Sequence, residues 1–215
     1  MGFGIYSFYH LLQPRFRENR MQLFLNEFQP DGTTSILDVG GNVNDWQDAV
    51  PISSPITILN VAPVDPSPEY PARFTYRTGD GRKLPFPDQS FDIVYSNSVI
   101  EHLGAQDDQR SFAREALRVG RSVFVQTPNR WFPIEPHFVT LFLHYLPKRL
   151  QRFFLPRLSL RGLFRSGDNV ELKPLFDELR LLSCGEMKDL FPGCTIHKEH
   201  LFGLTKSLIA IRKSS

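Results

Sequence analysis

Residues 35–44, reading Ser-Ile-Leu-Asp-Val-Gly-Gly-Asn-Val-Asn, constrain this chain more than any other stretch. Ile36, Leu37 and Val39 make a short apolar, partly β-branched run, the pattern of a buried parallel strand. The run stops on Gly40 and Gly41. Glycine lets the chain turn sharply and lets a ligand approach the backbone closely. A strand, a glycine turn and a helix start predict a ligand crevice at the carboxyl end of a central strand. A glycine pair alone fits any α/β turn, so the reading depends on the rest of the chain.

The rest of the chain keeps a rhythm. Further strands are expected at residues 56–61, 74–77, 91–95 and 121–126, each an apolar or β-branched run bounded by Gly, Pro or polar residues. Between and before them, helices are expected at residues 15–28, 45–50 and 107–119. In the first, Phe16, Leu23, Phe24 and Phe28 fall near one face and Arg17, Glu18, Arg20 and Glu27 near another. Residues 62–71 contain four prolines, so any helix there is short or absent. Ser183 and Glu186 have the spacing of a capping box and start a last helix that stops at Pro192-Gly193. Residues 195–199 and 207–212 read as two strands joined through Gly203, an antiparallel pair at a sheet edge. Alternating strands and helices closed by a hairpin predict an α/β, Rossmann-like three-layer sandwich with a mostly parallel sheet.

With 215 residues, a single domain over 1–215 is expected, with an N-terminal helical segment at 1–30 and a helical insertion at 127–173. The formal net charge is only +2, which supplies no global field to draw nucleic acid. Cys184 and Cys194 have no metal-ligand spacing and are read as reduced thiols of a cytoplasmic protein. No apolar run approaches the roughly 18 residues a membrane span needs. The N-terminus lacks a signal-peptide pattern, and Tyr6 breaks a myristoylation motif.

The most specific stretch is residues 79–103, GDGRKLPFPDQSFDIVYSNSVIEHL. With the strand order of parts around it, this run resembles the class I S-adenosylmethionine-dependent methyltransferases, closest to the small type 11 kind. The resemblance extends loosely over residues 15–212. It implies a seven-stranded sheet of order 3-2-1-4-5-7-6 with strand 7 antiparallel, S-adenosyl-L-methionine as cofactor and S-adenosyl-L-homocysteine as product. It also implies a cofactor site at Asp38, Gly40, Gly41, Asn42, Asn60, Asp80, Gly81, Ser96 and Asn97. Asp80 follows a strand between glycines, where a carboxylate can accept from an adenine amine. Ser96 and Asn97 end the fourth strand, where small polar groups can meet the methionine part.

Two positions depart from the family pattern. The first loop usually reads Asp-x-Gly-x-Gly-x-Gly, but Asn42 and Asn44 replace two of its glycines. Asparagine tolerates left-handed backbone better than most residues, so the loop can still turn. The second strand usually ends in an acid that holds the ribose hydroxyls, and here Asn60 stands there. An amide oxygen accepts a hydroxyl bond more weakly than a carboxylate does. Asp65 is the nearest carboxylate downstream.

Transfer of a methyl group needs alignment and, where required, a base. His102 and His137 lie just past the fourth and fifth strands and are the base candidates, each with the alternative of a hydrogen-bonded structural histidine. Glu101 reads as a helix-terminus residue. The fourth strand lacks the Asn/Asp-Pro-Pro-Tyr/Phe motif of nucleic-acid and glutamine amino methylation, which disfavours nucleic acid. No carboxylate cluster of the catechol type is evident, so no metal is expected. The expected partner is a small-molecule or lipid-like acceptor methylated at oxygen. Two alternatives are a non-catalytic methyltransferase-like binding protein and an RNA-modifying enzyme. Residues 138–165 hold six Lys or Arg residues, no acid, and interleaved large apolar side chains. That composition fits a lid over the crevice, a plainly packed hairpin, or peripheral membrane contact.

Overall fold

A computed structural model describes residues 3–47, 52–63, 71–135, 140–147, 149–151, 153 and 178–214. The first helix, α1 (Phe3–Phe28), begins twelve residues before the expected start and runs through Pro14. Then come β1 (Ile36–Val39), α2 (Val43–Gln47), β2 (Ile56–Asn60), β3 (Phe74–Thr78), β4 (Phe91–Asn97), a 3-10 turn (Ile100–Leu103), α3 (Gln106–Val119) and β5 (Gly120–Pro128). After β5 a small antiparallel pair forms from β6 (Ile134–Glu135) and β7 (Thr140–Leu141), before a 3-10 turn at Leu143–Tyr145. The chain closes with α4 (Cys184–Leu190), β8 (Thr195–Leu201) and β9 (Leu204–Arg212).

The large sheet has the order β3-β2-β1-β4-β5-β9-β8. Numbered within that sheet alone, this is 3-2-1-4-5-7-6, as expected. β1 to β5 are parallel, and β9 is antiparallel to both β5 and β8. The insertion differs from expectation. Its described opening is a hairpin and not a helix, because Pro133 lacks an N–H and Ile134 and Thr140 favour extended backbone. Residues 154–177 lie outside the described residues.

Side-chain alternation sends successive strand residues to opposite layers. Leu37, Val39, Val94, Val123 and Val125 pack against Phe112 and Ala116 of α3 and Met187 of α4. Ile36, Ile58, Ile93, Tyr95 and Phe124 pack against Met21 and Phe24 of α1 and Trp46 of α2. Phe24 is the hub of the second layer. Its ring meets Trp46, Tyr95 and Phe124 edge-on at centroid distances of 5.8, 5.3 and 5.5 Å. Such pairs add about 0.5–1.5 kcal/mol each beyond area burial. α4 carries the expected capping box: Ser183 accepts from the Glu186 N–H, and the Glu186 side chain accepts from the Ser183 N–H.

Candidate functional site

The carboxyl ends of β1 to β4 border a cleft of about 670 Å³, lined by Gly40, Asn60, Asp80, Gly81, Ser98 and His102 among others. Its floor is the turn after β1. Gly40 has φ +80°, and a Cβ there would lie 2.5 Å from Val99 Cγ2. At Gly41 a Cβ would lie 1.6 Å from Asp38 Oδ2, so the turn closes directly over that carboxylate. Both glycines are therefore required by space, the first also by conformation.

Asp38 itself is buried at 1% exposure. Its Oδ2 accepts from Trp46 Nε1 at 2.7 Å, while its Oδ1 is buried without a hydrogen-bond partner. Burial pushes its carboxyl up to about 7, against the lowering effect of the Trp46 bond. Asn42 does a different job from the one expected. Its Oδ1 accepts from the Asn44 N–H at 3.0 Å and its carbonyl from the Asp45 N–H at 3.1 Å, so it caps α2. It is not among the cleft-lining residues, and neither Asn42 nor Asn44 adopts positive φ. Capping, rather than left-handed backbone, explains asparagine there.

Asn60 lines the cleft and donates from Nδ2 to the Gly41 carbonyl at 3.0 Å, leaving its oxygen toward other partners. Asp80 sits opposite. Arg82 forks onto it with Nε at 3.0 and 2.9 Å from the two oxygens and Nη2 at 2.7 Å. Arg82 Nη1 also reaches Asp108 Oδ2 at 3.2 Å. The fork holds the Asp80 carboxyl below the usual carboxylate range. All three side chains are more than a third exposed, so the bridge is weak and readily exchanged.

Ser96 and Asn97 do not line the cleft. The Ser96 hydroxyl is buried and donates to the Val39 carbonyl at 2.9 Å, tying β4 to β1. Asn97 Oδ1 accepts from Arg20. Alternation decides this outcome: the last residues of β4 point into the two layers, and Ser98, just past the strand, turns toward the cleft. Ser98 has φ +59°, an uncommon value for serine. His102 is in the cleft, on the 3-10 turn whose His102 N–H donates to the Val99 carbonyl at 2.9 Å. Glu101, read from sequence as a helix-terminus residue, is fully buried within the 3-10 turn and accepts from the Thr127 hydroxyl at 3.0 Å. His137 and Asp65 lie outside the described residues.

One arginine escapes the sequence pattern. Periodicity places Arg20 on the solvent face of α1, yet the side chain is buried. Arg20 Nε donates to Glu199 Oε1 at 3.0 Å, and Nη1 donates to Asn97 Oδ1 and to Gln126 Oε1, the latter at 3.1 Å. Gln126 Oε1 also accepts from the Ser98 hydroxyl at 2.9 Å. Glu199 is 179 residues from Arg20 in the chain, so helical periodicity carries no signal for the pair. Lys206 completes the cluster, buried, with its Nζ 4.1 Å from the centre of the Phe16 ring. Burial pushes Lys206 down to about 8, helped by Arg20 and opposed by Glu199. Among the described residues no group of three His, Cys, Asp or Glu side chains could hold a metal ion.

Residues 54–122, which carry β2 to β4, α3 and much of the cleft, match the family described as a methyltransferase domain. That match spans about a third of the chain. A stretch of 64 residues is 45% identical to a protein of Mycolicibacterium smegmatis named a probable S-adenosylmethionine-dependent methyltransferase. The stretch covers 28% of this chain and 23% of that relative. In fold the chain is similar to a Rhodobacter sphaeroides chain named for Zn-dependent alcohol dehydrogenases, with a TM-score of 0.59, 14% identity, and coverage of 92% of this chain and 90% of that one. It is also similar to phosphoethanolamine N-methyltransferase 2 of Haemonchus contortus in complex with S-adenosyl-L-methionine, with a TM-score of 0.54, 14% identity, and coverage of 84% and 38%. A third similar fold is a SAM-dependent methyltransferase from Aquifex aeolicus, with a TM-score of 0.50, 11% identity, and coverage of 97% and 98%. At these identities the likeness to solved structures is one of fold.

Proposed function

We propose that the chain binds S-adenosyl-L-methionine in the cleft at the carboxyl ends of β1 to β4 and methylates an oxygen of a small or lipid-like acceptor. The observation that carries the reading is one cleft bringing together Gly40, Asn60, Asp80 and His102 within or beside the matched family segment. The residues fit this cofactor. The turn at Gly40 and Gly41 admits no side chain, and the buried Asp38 Oδ1 lacks a partner beneath it. When bound, the cofactor supplies an electrophilic methyl group. Asn60 is suited to accept a ribose hydroxyl through its oxygen, with its nitrogen already held by Gly41. Asp80 is suited to accept from the adenine amine once Arg82 shifts part of its fork.

His102 is the base candidate within the described residues. Its ring is positioned at the cleft to take a proton from an acceptor hydroxyl at one nitrogen, a role that suits imidazole near neutral pH. Support for oxygen comes from the end of β4, where Ser96, Asn97 and Ser98 stand in place of an amino-methylating Pro-Pro motif. One observation favours the non-catalytic reading: both Asp80 oxygens are engaged by Arg82. Calorimetry with S-adenosylhomocysteine separates the two. Binding that weakens in Asp80→Ala supports the enzyme, and absence of binding supports the non-catalytic relative. A methyl-release assay over hydroxylated acceptors, with His102→Ala as control, then tests the chemistry.

A further inference from the structure

Ten large apolar side chains are exposed among the described residues, and nine of them fall in two places. Seven lie in residues 131–153, directly after β5, and two are Phe202 and Leu204 at the tip between β8 and β9. The topology brings these places to one edge. β5 and β9 are antiparallel with Pro128 opposite Ser207, so the end of β5 and the start of β9 leave the sheet together. Asn129 fixes the junction, donating from its N–H to the Lys206 carbonyl at 2.9 Å and from Nδ2 to the Thr205 carbonyl at 2.8 Å.

The aromatic part is built. The Tyr145 hydroxyl donates to the Trp131 carbonyl at 2.8 Å, and the Phe142 N–H donates to the Pro133 carbonyl at 2.8 Å. The Tyr145 ring centre lies 5.9 Å from that of Trp131 and 6.0 Å from that of Phe142. Phe142 and Phe202 both hold positive φ, +58° and +51°, which a bulky residue adopts only at a cost. Phe202 is nevertheless 80% exposed and Phe142 55%. Glycine or asparagine would satisfy either turn with less strain, so folding alone does not account for phenylalanine at both. An exposed apolar surface of this kind marks an interaction site.

Charge says what the site meets. The Arg130 guanidinium lies 5.5 Å from the centre of the Trp131 ring, and Arg149 and Lys198 are exposed nearby in the chain or on β8. Glu135 is the one acid of residues 131–153, and the described residues from Thr140 to Phe153 hold none. A second copy would set the same cations against each other in a two-fold contact, which is unfavourable. Rings at headgroup depth with arginines on phosphates are the arrangement of a peripheral protein on an anionic bilayer. No helix among the described residues is long and apolar enough to cross a membrane.

We infer that the edge carrying Trp131, Phe142, Tyr145 and Phe202 docks on a bilayer that contains anionic lipid. The inference stands apart from the proposed chemistry, and it would give the neighbouring cleft an acceptor drawn from the membrane surface. The test is co-sedimentation of the full chain with phosphatidylcholine vesicles, with and without phosphatidylglycerol. Binding is expected only with phosphatidylglycerol. Phe142→Asn combined with Phe202→Asn should abolish it while thermal stability is kept or raised, since asparagine accepts both backbone conformations. Arg130→Gln combined with Arg149→Gln should weaken it about thirty-fold, about five-fold for each charge. A chain that stays in solution with both vesicles overturns the inference, as does a phenylalanine double variant that binds like the parent. A parent dimer that the double variant dissolves overturns it too, by giving the surface to a second copy. S-adenosylhomocysteine binding is measured separately, so vesicle binding without it leaves this inference standing and removes only the proposed function.

Discussion

At the ends of β2 and β3 the polar side chains of Asn60 and Asp80 face an open cleft, whereas Asn97 and Gln126, at the ends of β4 and β5, are tied beneath α1 by Arg20. The ion pairs differ accordingly. Arg82 and Asp80 are 43% and 37% exposed, and Arg20 and Glu199 are 9% and 9%. The first pair exchanges partners at little cost, and the second is held because burial makes the loss of either partner costly. Each half also buries one charge that burial drives toward neutrality, Asp38 upward and Lys206 downward. Ser98 joins the two halves, donating from its hydroxyl to Gln126 Oε1 and from its N–H to the Gln126 carbonyl. One half of the edge is thus kept exchangeable for a ligand while the other is fixed as a platform.

The hardest test of that contrast is Arg20→Ala. It removes the guanidinium that Glu199, Asn97 and Gln126 accept from, leaving Lys206 as the neighbouring cation, and should cost about 3 kcal/mol in urea unfolding. A cost below about 1 kcal/mol would mean that water reaches the cluster. Next comes Asp38→Asn. The folded carboxyl titrates at about 7, above its ordinary 3.8, so its contribution to stability is present at low pH and lost as pH rises through that window. The variant should gain on the parent between about pH 4 and 7, by up to about 4 kcal/mol, read from unfolding curves across pH. A constant difference would show that Asp38 is solvated.

Lys206→Met should show the mirror effect. The folded amine titrates at about 8, below its ordinary 10.5, so stability is present above about pH 10.5 and lost as pH falls toward 8. The variant should gain on the parent over that fall, by up to about 3 kcal/mol, and a loss instead would show that contact with Phe16 outweighs burial. In the exchangeable half, Asp80→Ala should weaken S-adenosylhomocysteine binding about ten- to hundredfold by calorimetry with little change in melting temperature. Equal affinities would remove Asp80 from the cofactor site. The smallest effect is expected for Asn60→Asp. It trades the donor to Gly41 for a charged acceptor, so affinity should stay within about tenfold of the parent, and complete loss would show that the Gly41 bond controls the loop.

Most of the sheet was legible because periodicity is a local property. Ile36, Leu37 and Val39, and the runs at β2 to β5, announce strands through neighbours one and two residues away, and Gly40 marks the turn by its own lack of a side chain. The family resemblance placed Asp80 and His102 at the cleft for the same reason, since both come just after strands that the sequence delimits. Three things needed the tertiary structure. Arg20 pairs with a glutamate 179 residues away, a distance over which local pattern carries no information. Ser96 and Asn97 stand at a strand end, but which face each side chain takes depends on the neighbouring strands, and pairing turned both inward. Residues 127–173 read as a helical insertion, yet contacts with Pro133, Arg130 and Trp131 fold the start of the described part as a hairpin with its rings outward. Sequence sets what a segment prefers by itself. Long-range packing decides which buried charges meet and which apolar side chains remain exposed.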